Sequence, residues 1–274
     1  NGTVRADTAS FSSETGLIKV TVGSITSLKI RDAVSGAGNE IGIRTTNTDN
    51  SLSMYAAGYD GDENYVEEVS VTWGSTGTLD EVSGTGSSFT FEPSTANTSG
   101  QVTVQSSGLQ GDSTGTISVL VGALDYVVIE SESGGNADQV QNLNLTADDS
   151  DSLFLSGYDG DNNYIRPVKG QWSVEGGIGI VSTGSTSASS TEFSANTVGT
   201  GFIQADTSNF TDKTGAITVS VGAINYLKIV SESSGNGSEI GNVSLTTDST
   251  LALYASSFDS DGNFTGDAEV SWTK

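Results

Sequence analysis

A seven-residue motif recurs three times along this chain at nearly constant spacing. The copies begin at Tyr59, Tyr158 and Phe258, so they lie 99 and 100 residues apart. A tryptophan follows each copy, at Trp73, Trp172 and Trp272. A fixed period of this length is typical of tandem arrays of one module. Since a unit of about 100 residues can bury its own hydrophobic core, the chain is predicted to be an array of one repeated domain.

The repeat divides the chain into four segments. Val-Gly dipeptides ending at Gly23, Gly122 and Gly222 mark the junctions, which gives two complete units, 24–122 and 123–222. Residues 1–23 match only the C-terminal strands of a truncated unit, and residues 223–274 match only the N-terminal half of a further unit. Because half a unit leaves strand edges and core residues uncovered, we expect the chain to continue at both ends or neighbouring copies to complete the half-units.

Apolar residues alternate with polar ones through most of each unit. Leu52, Met54 and Ala56 show the pattern, and Val71 and Trp73 repeat it. A period of two indicates strands with one buried face, whereas no helical period is sustained over several turns. The fold is predicted to be all-β, with about seven strands per unit in a Greek-key two-sheet sandwich and the units arranged end to end. Each repeated tryptophan is expected to fill a core.

Composition excludes several kinds of site and partner. With 34 acidic and 10 basic residues the net charge is −24, which repels nucleic acid and anionic membrane surfaces. Histidine and cysteine are both absent, so the chain can build no zinc site, thiolate nucleophile, histidine base or disulfide. No apolar run reaches the roughly 18 residues that a membrane-spanning helix needs, and direct membrane insertion is not expected.

The segment that follows the first turn, Glu68-Val69-Ser70-Val71-Thr72-Trp73, resembles the turn-then-Val-x-Val-x-Trp signature of bacterial immunoglobulin-like domains. The pattern recurs over 268–272, and in an atypical form over 169–172, where Pro167 precedes it. This resemblance implies a Greek-key sandwich from a large microbial surface protein, such as an adhesin, a stalk or a cell-wall or S-layer-associated protein. It therefore implies an extracellular or cell-surface location.

The three turns are the candidate metal sites of the chain. Each places oxygen-bearing side chains at positions i, i+2 and i+4, a spacing that can converge on Ca²⁺. The alternative is hairpin chemistry, because Asp and Asn tolerate positive φ and bond to their own backbone. The predicted cofactor is therefore none or Ca²⁺. The candidate ligands are Asp60, Asp62, Asn64, Asp159, Asp161, Asn163, Asp259, Asp261 and Asn263.

Other acidic residues are expected to play no catalytic part. The cluster of Asp148, Asp149 and Asp151, matched only by Asp49 and Asp248 in the other copies, is interpreted as a solvated loop. A glycosidase would need two carboxyl groups with different pKa values. Three identical polar turns with no apolar pocket do not fit that requirement, and the chain is predicted not to be an enzyme.

Two functions remain open from the sequence. The first is a structural spacer or scaffold in an extracellular microbial stalk, fibre or filament, whose partners are copies of itself or the continuation of the same long chain. The alternative is an adhesin-type module whose repeated loops recognise surface carbohydrate or a receptor and gain avidity through repetition.

Overall fold

The computed structural model of this chain describes residues 1–135 and 137–274. All regular structure in this part of the chain is β-strand, and it holds no helix long and apolar enough to cross a membrane. The chain forms two compact units, Asn1–Gly122 and Ala123–Lys274. The finer division into four segments stays a prediction from the repeat.

The first unit contains thirteen strands. In chain order they are β1 (Arg5–Asp7), β2 (Ser12–Glu14), β3 (Ser27–Arg31), β4 (Arg44–Asn47), β5 (Leu52–Tyr59), β6 (Tyr65–Glu68), β7 (Val71–Ser75), β8 (Ser83–Gly86), β9 (Ser88–Phe91), β10 (Thr98–Gly100), β11 (Val102–Gln105), β12 (Asp112–Ser113) and β13 (Ile117–Leu120).

The described part of the second unit, 123–135 and 137–274, contains another thirteen. They are β14 (Tyr126–Glu130), β15 (Leu143–Thr146), β16 (Ser150–Tyr158), β17 (Tyr164–Pro167), β18 (Gln171–Glu175), β19 (Gly179–Val181), β20 (Ser190–Ala195), β21 (Gly199–Asp206), β22 (Thr211–Lys213), β23 (Ile217–Ser220), β24 (Tyr226–Val230), β25 (Tyr254–Phe258) and β26 (Phe264–Asp267).

Residues 123–222 form a complete two-sheet sandwich. One sheet has the order β14-β16-β20-β19, and the other has the order β15-β23-β21-β18. Labelled A to G along the chain, the framework strands give A-B-E-D opposite C-F-G, which is the immunoglobulin arrangement. The short strands β15, β17 and β22 add to these seven. The prediction of an all-β, seven-stranded immunoglobulin-like sandwich is confirmed.

Residues 24–122 share part of this arrangement, although β8 pairs with β7 and β13 pairs with β10 and β4 in a separate sheet. Strands β3, β5 and β9 form one sheet with β6 at its edge, and β7 and β11 pair in the opposite sheet. In both complete repeats the last strand pairs in parallel with an early one, Ile117 lying opposite Arg44 and Ile217 opposite Leu143. Within the first third of each complete repeat the chain therefore passes from one sheet to the other. Each sheet contains strands from distant parts of the repeat.

Each complete repeat buries a core of its own. Trp73 is 3% exposed and Trp172 is 2% exposed, as the alternating pattern predicted. Their indole Nε1 groups donate hydrogen bonds of 2.9 Å to the carbonyls of Gly86 and Ala188. A buried indole that also satisfies its one polar atom fixes the register of the strand that carries it.

The prediction that Trp272 is buried is wrong, because this side chain is 52% exposed. In the preceding repeat β21 covers the equivalent residue, with Ala205 directly opposite Trp172. Residues 223–274 contain no counterpart of β21; they form only the sheet β24-β25-β26. Residues 1–23 form the β1-β2 hairpin, in which every residue is exposed.

Candidate functional site

The three Asp-x-Asp-x-Asn turns connect β5 to β6, β16 to β17 and β25 to β26. A register shift precedes each turn, and the third residue after the first aspartate has positive φ: 62° at Glu63, 68° at Asn162 and 88° at Gly262. Such shifts are β-bulges, which re-aim the strand that carries them. The bulge and the left-handed residue together bend the chain tightly around the first aspartate.

The first aspartate of each turn is buried, with 5% exposure at Asp60 and 0% at Asp159 and Asp259. In the first turn its Oδ1 accepts hydrogen bonds from the backbone N–H groups of Asp62 at 3.0 Å and Asn64 at 2.9 Å. The other two turns repeat both bonds at 2.7–3.1 Å. The asparagine Nδ2 also donates to the same carboxylate. This is the hairpin chemistry that the sequence offered as one interpretation.

The second carboxylate oxygen reaches the junction that precedes its own repeat. The backbone N–H of Gly23 donates to Asp60 Oδ2 at 2.9 Å, and that of Gly222 donates to Asp259 Oδ2 at 3.0 Å. The hydrogen bond from Gly23 is the main cause that lowers the pKa of Asp60 to about 2, and that from the Asn64 backbone comes next. A carboxylate bonded to several N–H groups is stabilised in its charged form.

Burial opposes ionisation at Asp259, but the hydrogen bonds outweigh it. The Asn263 side chain and the Gly222 backbone together lower the pKa of Asp259. This carboxylate therefore remains charged at neutral pH, and its bonds to the turn and to the junction are charge-assisted.

A second aspartate, from the preceding repeat, bonds to the same junction. Asp148 Oδ2 accepts a hydrogen bond of 2.6 Å from the backbone N–H of Ala223, and Asp148 Oδ1 accepts one of 3.0 Å from Ser260 Oγ. A Cβ atom on Gly222 would lie 2.4 Å from Asp148 Oδ2, so only glycine fits there. The backbone N–H groups of Gly222 and Ala223, which belong to two consecutive peptide groups, thus each donate to an aspartate from a different flanking segment. We call Asp148, Asp259 and these two N–H groups the junction clamp.

Asn263 adds two further bonds across the same junction. Its Nδ2 donates to the carbonyl of Asn196 at 3.1 Å, and its Oδ1 accepts from the backbone N–H of Val198 at 3.4 Å. The third turn therefore bonds to Gly222, at the end of the preceding repeat, and also to residues 196 and 198 within that repeat.

The interpretation of Asp148 as part of a solvated loop is wrong in one respect. The side chain is exposed, but it bonds across the junction. Asp49, Asp148 and Asp248 each lie eleven residues before the first aspartate of a turn, and this fixed offset was the available signal. Asp149 closes its own turn, because its Oδ2 accepts bonds from the Thr146 backbone and hydroxyl at 2.7 Å and 2.8 Å.

The turns as folded do not gather their side chains around a cation. Both oxygens of Asp60 accept N–H groups, and Asn64 directs its amide nitrogen, not its oxygen, at that carboxylate. Across the described ranges no group of three or more Asp or Glu residues is placed to hold a metal ion. Because Ca²⁺ needs six to eight oxygen ligands, this geometry favours the hydrogen-bonded turn. Calcium at these turns stays a prediction for experiment.

Pairs of aromatic rings flank each turn. Tyr59 and Tyr65 meet edge to face with centroids 6.0 Å apart, and the later turns repeat the pair at 5.9 Å and 6.0 Å. Edge-to-face pairs of this kind stabilise the strands that carry them. These rings pack against each other and so support the turn.

One buried carboxylate was missed by sequence reasoning. Glu130 is 1% exposed and accepts hydrogen bonds from Ser156 Oγ at 2.6 Å and from the Tyr158 hydroxyl. Burial, and then the bond to this carboxylate, raise the pKa of Tyr158. The position gave no repeat signal, since the other copies carry Arg31 and Val230 there. The network is internally satisfied and serves the packing of one repeat.

Comparison with known proteins yields structural similarity alone. No protein-family model and no curated protein matches this chain. Among solved structures, domains 4–9 of the surface layer protein SbsC are 13% identical over 90% of this chain, with a TM-score of 0.26. Extracellular domains 3–5 of Drosophila OTK are 12% identical over 87% of this chain and 96% of that one, with a TM-score of 0.31.

The titin A168169 structure is also similar, at 15% identity over 67% of this chain and 96% of that one, with a TM-score of 0.29. This chain spans 38% and 34% of the lengths of the first two SbsC structures. At these scores the likeness carries no functional argument. The immunoglobulin-like assignment depends on the strand order described above.

Proposed function

We propose that this chain is a non-enzymatic structural repeat region of an extracellular microbial surface stalk, fibre or filament. The observation that carries the proposal is the junction clamp. A connector that only tethers two domains leaves them free to reorient. Here the Gly222 N–H of the connecting segment donates to Asp259 and the Ala223 N–H donates to Asp148.

The clamp suits an array under tension because its bonds are charge-assisted and hold two consecutive N–H groups of the junction. Bonds to an ionised carboxylate are about twice as strong as neutral ones. The residues that form it recur with the repeat, as Asp49, Asp148 and Asp248 and as Asp60, Asp159 and Asp259. At Gly122 a Cβ would also lie 2.4 Å from Asp49 Oδ1, which is the same close approach as at Gly222. Single elements of the clamp thus recur at Gly23, through Asp60, and at Gly122, through Asp49, and this recurrence supports the array.

The chemistry of the turns favours a structural role over catalysis. A general acid or base needs a pKa near the working pH, whereas hydrogen bonds hold the pKa of Asp60 at about 2. The carbohydrate-binding alternative would gain support from open aromatic surfaces. The rings beside the turns pack on one another instead.

The acidic composition fits an extended extracellular polymer. The 34 acidic residues outnumber the 10 basic ones, so neighbouring chains repel each other, which keeps a long array soluble and separate. Divalent cations or high salt would reduce this repulsion.

Immunogold electron microscopy of source cells tests the proposal. Antibodies raised against the chain should label fibres or stalks outside the cell, with a repeat that matches the domain period. Label confined to the cytoplasm, or label on compact globular particles, would refute the structural role. A glycan array probed with the purified chain tests the alternative, which specific binding would favour.

A further inference from the structure

Two basic residues of the second complete repeat lie three positions apart in this strongly acidic chain. Arg166 belongs to β17 and Lys169 follows that strand, and both side chains are exposed. Among the described residues the ion pairs involve five other basic residues and neither of these two. The Debye length at physiological salt is about 8 Å, so a ligand held by these two side chains is influenced by them more than by distant acidic residues.

Both basic residues line one cavity, which we call the basic groove. Its volume is about 600 Å³, within the range of roughly 300–1,000 Å³ that is usual for ligand pockets. Its apolar lining includes Phe210, which packs against the core of the repeat. Ser208 and Asn209 add exposed polar side chains, and the described residues that line the groove include no acidic one. This lining suits a ligand that has both an apolar face and a negative charge.

The turn at residues 207–210, which forms one wall of the groove, is held by its own hydrogen bonds. The Thr207 hydroxyl oxygen accepts the backbone N–H groups of Asn209 at 3.2 Å and Phe210 at 2.8 Å. The backbone N–H of Thr207 donates to the Phe210 carbonyl at 2.8 Å. A wall that is already ordered lowers the entropic cost of binding.

The other copies of the repeat have different residues at the groove. In the first complete repeat the counterparts of Arg166, Lys169, Asn209 and Phe210 are Glu67, Ser70, Gly108 and Leu109. The third copy has Gly266 and Glu269 at the two basic positions. Two positive charges are thus replaced by one negative charge in each of the other copies. Since the same fold forms without these residues, the fold itself does not require them.

A second cavity, of about 190 Å³, adjoins the basic groove and shares two lining residues with it, one of them Pro167. In the first complete repeat the counterpart of Pro167 is Glu68, which accepts a hydrogen bond of 2.8 Å from the Ser35 backbone, and the third copy repeats the contact. Proline has no carboxylate, and Gly134, the counterpart of Ser35, lines the second cavity. A place that an internal carboxylate occupies in the other copies is therefore open to a ligand in this one.

Glu130 limits what the second cavity can hold. Its buried carboxylate accepts a hydrogen bond of 2.6 Å from the hydroxyl of Ser156, which lines that cavity. A second negative charge nearby would be repelled, whereas neutral hydroxyl groups suit a cavity that Ser133 and Ser190 also line. The two cavities together fit a molecule with one carboxylate at one end and hydroxyl groups at the other.

We propose that the second complete repeat binds an acidic saccharide in these two cavities. Arg166 and Lys169 hold the carboxylate of one sugar, since an arginine fork matches carboxylate geometry. The C–H face of that sugar packs on Phe210, and Asn209 bonds to its hydroxyl groups. The neutral sugar joined to it fills the second cavity.

Charge and position distinguish this site from the other binding modes considered above. The net charge of −24 repels densely charged polyanions, so the ligand is a glycan with sparse carboxylates. Repeated-loop binding would need a site in every copy, whereas only residues 123–222 contain this one. Phe210 lies on a different loop from the aromatic pairs beside the three turns. The structural role depends on the junction clamp, so the two proposals can fail separately.

A nuclear magnetic resonance titration of the whole chain with cellobiouronic acid, in which glucuronic acid is linked to glucose, tests the proposal. Amide signals of residues 166–169 and 207–210 should shift and saturate. Cellobiose differs from this probe only in lacking the carboxylate, and it should bind about tenfold more weakly because a charge-assisted contact is lost. Sialyllactose compared with lactose tests the sialic acids as the other source of the carboxylate. Saturable shifts with either acidic probe support the proposal, whereas shifts with neither, or equal binding of acidic and neutral probes, overturn it.

Matched variants locate the binding. Arg166→Glu with Lys169→Ser installs the residues of the first complete repeat, so the fold should be kept while binding of the acidic probe falls about tenfold or more. Arg5→Glu with Lys19→Ser makes the same change of charge at exposed residues elsewhere and should leave binding unchanged. Phe210→Leu, again the residue of the first repeat, should weaken binding without altering the charge. Binding that survives the first double variant, or equal losses in both double variants, contradicts the site and leaves the structural role standing.

Discussion

Truncation of Trp172 should destabilise its repeat far more than the same change at Trp272. Trp172 is 2% exposed and its indole donates to the Ala188 carbonyl, whereas Trp272 is 52% exposed. Trp→Ala changes in cores cost about 3–5 kcal/mol, and the lost hydrogen bond is part of that cost. For Trp272→Ala we expect a loss below about 1 kcal/mol, as at other exposed sites.

Urea unfolding followed by circular dichroism measures this difference. With a slope of about 1.5 kcal/mol per M, a loss of 3–5 kcal/mol lowers the midpoint of one transition by roughly 2–3 M. The transition of the repeat that carries Trp73 should not move, because that residue belongs to a separate core. Equal shifts for Trp172→Ala and Trp272→Ala would refute the assignment of the core and of the strand register.

Three further predictions concern the junction and the turns. Gly222→Ala puts a Cβ 2.4 Å from Asp148 Oδ2, so it should destabilise the junction by about 1–3 kcal/mol; Gly241→Ala, with open space around it, is the control, and equal melting of the two would contradict the clamp. Asp60 has its pKa lowered from 3.8 to about 2, so its ionised form stabilises the fold above pH about 4, and this contribution is lost as the pH falls towards 2. Asp60→Asn should flatten the fall in stability over that interval, and an unchanged profile would show that this carboxylate does not contribute. The hydrogen-bonded turns predict the same melting temperature in chelator and in added calcium, whereas a rise in calcium that Asp62→Asn abolishes would establish the calcium site.

The sequence predicted what depends on local pattern. Alternation gave the strands that bury Val102 and Val104, and the spacing of the tryptophans located a core residue in each complete repeat. The Asp-x-Asp-x-Asn spacing predicted turns that bond to their own backbone, which Asp60 and Asp62 do. These features depend on residues close together in the chain, where side-chain period and φ preference determine the structure.

The sequence did not predict what depends on distant partners. Burial of a tryptophan such as Trp172 requires Ala205, 33 residues further along the chain, to pair beside it. The role of Asp148 depends on Ala223, 75 residues away, and Glu130 depends on Ser156 and Tyr158 in a neighbouring strand. The packing of whole sheets determines a pairing across that distance. Its only trace in the sequence is the constant spacing between Asp148 or its counterparts and the first aspartate of each turn.

Hydrogen exchange at the Gly222 and Ala223 amides is the most direct test of the account. These two N–H groups donate to Asp259 and Asp148, and amides held in stable structure exchange slowly. The clamp predicts that both exchange as slowly as neighbouring amides of β23 and β24, and that Asp148→Asn together with Asp259→Asn releases them while the β21 amides stay protected. Exchange of both amides in the unchanged chain at the rate of an open peptide would contradict the clamped junction, and with it the structural array.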